Sequence, residues 1–149
     1  LTELRRTLDS GDPERGKQVF LSGKGNCLLC HRVGDDGGEV GPNLSTIGRS
    51  RSAHEILDAI VYPTETGFTR GYEAYNISTQ DGQSYFGTIA RETAESIYLN
   101  QMTGEQVIVP RDRIEKMEPS PVSLMPPGLD RLLTPQELAD LVAFLEALK

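Results

Sequence analysis

Two cysteines and a histidine stand together in Cys27-Leu28-Leu29-Cys30-His31. No other local pattern in the chain dictates a chemistry so directly. Thiols three positions apart can each form a thioether to one of the two vinyl groups of a haem. The imidazole that follows the second thiol is then placed to bind the iron. C-x-x-C-H is the attachment pattern of a c-type haem, and histidine is a standard axial ligand. These are the only cysteines of the 149 residues, so none is left for another task. A redox disulfide of the thioredoxin type needs a βαβ context, which the flanking Gly-Lys-Gly-Asn and His-Arg-Val-Gly do not supply. A structural zinc site needs four spaced ligands; Cys30 and His31 are adjacent, and His54 is the one further imidazole. The expectation is one covalent haem c per chain.

The sixth position on the iron decides between electron carriage and small-ligand chemistry. The candidates are Met102, Met117, Met125 and His54. Met125 is preferred, because Ser123-Leu124-Met125-Pro126-Pro127 is a stiff loop in which prolines limit backbone freedom and pre-place a thioether. Met117 falls in an alternating strand and reads as β core, Met102 sits beside the Thr103-Gly104 turn and reads as surface, and His54 lies in the first turn of a capped helix. On the other side, Gly41-Pro42-Asn43-Leu44 forms a rigid turn. A metal-bound imidazole commonly donates its second N–H to a carbonyl, and the Pro42 carbonyl is the proposed acceptor for His31 Nδ1–H.

Around these residues the elements can be placed. Asp12 caps a helix with Pro13 at its first position, running to about Ser22 and burying Val19 and Phe20, with Gly23 and Gly25 ending it. A loop rich in Gly and Asp follows to about Val40. Its Asp35, Asp36 and Glu39 lack the ordered spacing of a calcium loop and read as solvated. Ser52-Ala53-His54-Glu55 is a capping box for a helix that buries Ile56, Ile60 and Val61 and stops at Pro63. From Tyr72 the pattern alternates. Strands are expected over 72–79, 84–90, 96–100, 106–109 and 114–117, with Asp81-Gly82 as a hairpin turn. Thr134-Pro135-Gln136-Glu137 opens the last helix, with Leu138, Leu141, Phe144 and Leu145 on one face. Leu1, Leu4 and Leu8 suggest a short helix or an arm. The layout is thus an arm or linker over 1–10 and one domain over 11–149, with 72–118 as a β insert.

Taken together, these residues resemble class I monohaem cytochromes c. Gly16 and Phe20 match the family's G-x-x-x-F in the first helix. Cys27 to His31 match its haem motif, Gly41 to Leu44 its proximal loop, and Met125-Pro126 its distal loop. Asp140 to Leu145 are similar to its last helix. The resemblance implies a haem-binding set of Cys27, Cys30, His31, Pro42, Leu44, Arg49 and Met125, with His31 and Met125 on the iron. Arg49 follows Gly48 as a family arginine near a haem propionate does, at a spacing one residue shorter. The resemblance also implies a mainly α cytochrome c fold, here with a small inserted antiparallel sheet or barrel, which makes the class α+β with helix predominant. The insert departs from small class I cytochromes. It looks like the haem module found at the C-terminus of large planctomycete and verrucomicrobial proteins, many of which carry a propeller-type dehydrogenase domain upstream. Pro-Ser-Pro-Val-Ser-Leu-Met-Pro, 119–126, resembles that module's distal loop.

The function expected is electron transfer without catalysis by the chain itself. The alternatives are a haem sensor or enzyme with a labile sixth ligand, and a partner-binding module built on the β insert. The apolar content of 37% and charged content of 25% suit a globular domain. A formal net charge of −7 argues against nucleic acid. It favours a redox partner or upstream dehydrogenase domain with a basic docking face. No apolar run approaches the ~18 residues of a membrane span. The chain reads as a mature product or a domain of a longer protein. Covalent haem attachment places it in the periplasm or otherwise exported.

Overall fold

The computed structural model describes residues 2–149. Helix α1 (Thr2–Thr7), helix α2 (Pro13–Ser22) and the single turn α3 (Cys27–Cys30) come first, followed by strands β1 (Arg32–Val33) and β2 (Asp36–Gly37) and helix α4 (Ala53–Val61). Five strands then follow in succession: β3 (Ala74–Thr79), β4 (Ser84–Glu92), β5 (Ser96–Gln101), β6 (Gln106–Pro110) and β7 (Ile114–Pro119). Helix α5 (Pro135–Glu146) closes the chain, and short 3-10 turns occupy Leu8–Ser10, Ile47–Arg49, Arg111–Arg113 and Leu129–Leu132.

The expectation of a mainly α fold is overturned. Helices with their 3-10 turns take 36% of the chain and strands 24%, in one five-stranded and one two-stranded antiparallel sheet. The protein is α+β. The physical reason lies in the stretch from Ala74 to Pro119, which builds a core of its own from Ile77, Ile97, Leu99 and Val109, flanked by Tyr85, Ile89, Val107, Ile114 and Met117.

The helical half forms as its caps dictate. The Asp12 side chain accepts from Arg15 N, and both Ser52 and Thr134 complete capping boxes with Glu55 and Glu137. Helices α2 and α5 cross at very short range. A Cβ on Gly16 would lie 1.8 Å from the Asp140 carbonyl oxygen, so only glycine fits there. The close crossing brings the Phe20 and Phe144 rings to a centroid separation of 5.8 Å, tilted by 48°. Helix α5 buries Ala139, Asp140 and Val142 as well as the expected leucines and Phe144, and α4 buries Leu57 along with Ile56 and Ile60, leaving Val61 half-buried. The N-terminal segment is part of this core. Leu4 and Leu8 pack against it, and Arg5 holds Asp58 of α4 at 2.9 Å. Leu1 lies outside the described residues.

The five-stranded sheet has the order β6-β5-β4-β3-β7. Its two edge strands are therefore neighbours in sequence, joined only by Arg111–Arg113. In a flat sheet four strand spacings would separate the edges by roughly 19 Å. A link from Pro110 to Ile114 reaches at most about 15 Å. The sheet must curl into a partly open barrel, helped by register shifts at Ser78/Thr79 and Ile89/Arg91. A third apolar cluster joins barrel to helices: Val40, Ala74 and Leu124, with Cys30 and Phe86 against them. No helix among the described residues is long and apolar enough to cross a membrane.

Candidate functional site

One helical turn presents the two thiols. Asn26, in the left-handed region at φ 58°, starts α3, and His31 N bonds back to the Cys27 carbonyl at 2.9 Å as the chain leaves into extended backbone. Residues three apart on a helix share a face, so Cys27 and Cys30 point to the same side. Both are free thiols. Burial, with Cys30 adding to it, pushes the Cys27 thiol up to about 11, and burial also raises Cys30. Cys27 donates weakly to the Gly25 carbonyl at 3.8 Å. Reactive redox cysteines have lowered pKa values; these two are shifted the other way and remain protonated at neutral pH.

His31 is oriented by the loop over 41–44. Its Nδ1 lies 2.7 Å from the Pro42 carbonyl oxygen. Because that oxygen only accepts, Nδ1 carries the proton and Nε2 is left with its lone pair. Burial lowers the pKa of the ring more than the Pro42 bond raises it, which keeps the imidazole neutral and able to ligate. Gly41 is the residue that lets the ring in: a Cβ there would sit 2.7 Å from His31 Cε1 and 3.0 Å from Nδ1. Gly41 N in turn donates to the Cys30 carbonyl at 2.7 Å, which ties the loop to the turn that carries the two thiols. The expected loop before it is partly ordered, since β1 and β2 form a two-stranded ribbon.

These groups open on a cleft of about 1480 Å³, including its mouth, with Leu44, Ile56, Ile60, Leu124 and Leu145 among its apolar lining. Cys27, Cys30, His31, Pro42, Leu44 and Met125 all line it. Met125 reaches it from a pinned loop, in which Met125 N donates to Ser123 Oγ at 3.1 Å and Ser123 N to Thr64 Oγ1 at 3.3 Å. Of the other candidate ligands, Met117 packs on the barrel core and His54 is exposed on α4. Met102 is exposed, yet it also lines the cleft, at the β5–β6 turn.

Arg49 is exposed on its 3-10 turn and does not line the cleft; Arg51, two residues on, does. Thr66, Phe68, Thr69, Tyr72 and Thr88 are further lining residues that pattern reading did not single out. The segment from Thr64 to Gly71 has no periodicity, and Thr88 is a polar residue inside a strand, so neither carried a local signal.

A flat, mostly apolar group with two vinyl substituents fits this cleft on the chemistry of its donors. Two protonated thiols share one side, a neutral imidazole offers Nε2, a thioether stands in the same cleft, and the glycine at 41 keeps open the space that the ring needs. Compared with protein-family models and with curated proteins, the chain matches none.

Proposed function

We propose that this protein carries single electrons through a haem c joined to Cys27 and Cys30 and ligated by His31 and Met125. The observation that supports the reading is the convergence of both thiols, the Pro42-anchored imidazole and the Met125 loop on one apolar cleft. When bound, the haem supplies a one-electron iron couple. The chain's residues supply the rest. Cys27 and Cys30 would hold the group, each through a thioether to one vinyl substituent. His31 donates through Nε2 while Pro42 fixes its tautomer and strengthens its donation. Met125 offers a soft thioether, which favours the reduced state and raises the potential. Leu44, Ile56 and Ile60 keep water from the site.

With His31 and Met125 both held to the iron, no site would be left for a small ligand, and the chain would act as a carrier rather than an enzyme. Its partner is a redox protein or an adjoining dehydrogenase domain. The net charge of −7 favours a basic docking face on that partner. Thioether maturation places the protein in the periplasm or otherwise outside the cytoplasm. A spectroelectrochemical titration of the haem-loaded protein tests the reading. One reversible one-electron wave, unchanged by carbon monoxide, is expected. An irreversible wave, or one that moves with carbon monoxide, overturns it in favour of a labile sixth ligand.

A further inference from the structure

The barrel is fastened to the loop that orients His31, and the shortest hydrogen bond of the fastening comes from a buried hydroxyl. Thr88 Oγ1 in β4 donates to the Val40 carbonyl at 2.7 Å, across 48 residues of sequence, with both residues buried. One residue earlier on the loop, the Glu39 carbonyl accepts a longer bond, 3.4 Å, from Asn100 Nδ2 in β5. β4 and β5 are paired so that Thr88 stands opposite Asn100. The preceding residue, Gly87, has no room for a side chain, since a Cβ would meet the Asn100 carbonyl oxygen at 2.2 Å. From the other side the loop is held by Gly38 N on the Leu28 carbonyl at 3.0 Å and Gly41 N on the Cys30 carbonyl at 2.7 Å. Glu39 to Pro42 is thus clamped between the attachment turn and the barrel.

Resting on the haem reading above, we infer that Thr88 is a positioning residue for the iron ligand: through Val40 the barrel holds the Pro42 carbonyl against His31 Nδ1–H and so sets the reduction potential. The physics is short-range. A buried carbonyl that loses its donor carries its full desolvation cost, and the loop relieves that cost by moving. The Pro42 carbonyl is two residues away on the same rigid turn, so movement lengthens the 2.7 Å bond to His31. A weaker acceptor makes the imidazole a poorer donor to iron. The ferric state then loses more than the ferrous state does, and the potential rises. The β insert, on this account, is the outer brace of the proximal ligand.

The test uses haem-loaded protein from an exporting host with haem-attachment machinery, comparing wild type, Thr88→Val, Thr88→Ser and Ile97→Val. Ile97 is fully buried in the barrel core and bonds to nothing on the loop, so it reports barrel destabilisation alone. Thr88→Val is expected to lower the ferric-to-ferrous ratio at fixed poise by roughly three- to tenfold, about 28 to 59 mV for a one-electron couple. It should also move the His31 Nδ1–H proton resonance of the reduced protein. Thr88→Ser should restore both, and Ile97→Val should lower the melting temperature with the potential unchanged. A wild-type potential and resonance in Thr88→Val, or an equal shift in Ile97→Val, overturns the inference while leaving the haem reading intact. Wild-type protein that takes up no haem instead defeats the haem reading itself, and this inference with it. Should Thr88→Val not fold, Asn100→Ala is read the same way: a smaller rise in potential supports the clamp, and no rise overturns it.

Discussion

The imidazole Nδ1 of His31 lies 2.7 Å from the carbonyl oxygen of Pro42, eleven residues further along the chain. That one bond sets the tautomer, leaves Nε2 with its lone pair on a residue that lines the cleft, and joins the Cys27–Cys30 turn to the loop over 41–44. It depends on Gly41, whose missing side chain leaves the ring its place. Gly41→Ala should therefore push the imidazole off the Pro42 carbonyl, destabilise the folded protein by about 1–3 kcal/mol and lower the fraction of chains carrying covalent haem. Thermal melts and intact-mass measurement of the haem-loaded fraction check both effects.

Two methionines line the cleft, and the proposal gives the iron to only one. Met125 sits on a loop pinned by Ser123 and Thr64, whereas Met102 sits exposed at a hairpin turn. Met125→Ala should open the iron to carbon monoxide and lower the potential, while Met102→Ala should leave the protein closed to carbon monoxide. An unchanged spectrum in Met125→Ala, or a carbon monoxide complex in Met102→Ala, reassigns the ligand.

Removing residues 72–118 and bridging the gap should abolish the folded haem protein. The barrel covers Val40, Leu124 and Cys30 and satisfies the buried Val40 carbonyl through Thr88. Its loss would expose apolar surface beside the Cys27–Cys30 turn and strip the loop over 40–42 of its outer support. Circular dichroism melts and haem content of the deletion variant decide this. A stable, haem-loaded remainder would show that the barrel is a mere addition.

Asp140 should make the protein acid-sensitive. Burial alone would raise its pKa, but Arg15, Gln136 and the Asp12 backbone N–H stabilise the carboxylate and bring it below the usual range. A carboxyl whose folded pKa lies below its unfolded value of about 3.9 stabilises the fold above that pH. The contribution is lost as the pH falls through the folded value. Asp140→Asn should cost about 1–3 kcal/mol at neutral pH. The gap between wild type and variant should close below about pH 4, as urea melts across that range would record.

Much of this architecture could be read from local chemistry. Asp12 with Pro13, Ser52 with Glu55 and Thr134 with Glu137 each mark a helix start by pairing a cap with its reciprocal donors or a suitable first residue. The alternation after Tyr72 and the Asp81-Gly82 turn mark the strands to within a few residues. The predominance of helix does not hold, because a resemblance carried by motifs at the two ends says little about the weight of the middle. The ribbon formed by Arg32–Val33 and Asp36–Gly37 is too short to show periodicity. Arg51 and Thr88 reach the cleft through tertiary placement alone, and the bond from Thr88 to Val40 has no signature in either neighbourhood. The bond from His31 to the Pro42 carbonyl was legible because a rigid Gly-Pro turn can present a carbonyl to an imidazole N–H.

The most direct measurement is the visible absorption spectrum of protein matured with haem-attachment machinery, oxidised and reduced, with and without carbon monoxide. A haem held by Cys27, Cys30, His31 and Met125 should give a c-type reduced spectrum, a weak far-red methionine–iron band in the oxidised form, and no response to carbon monoxide. A ready carbon monoxide shift would contradict ligation by Met125, and the absence of any haem spectrum would contradict the assignment of Cys27, Cys30 and His31 as a haem-attachment site.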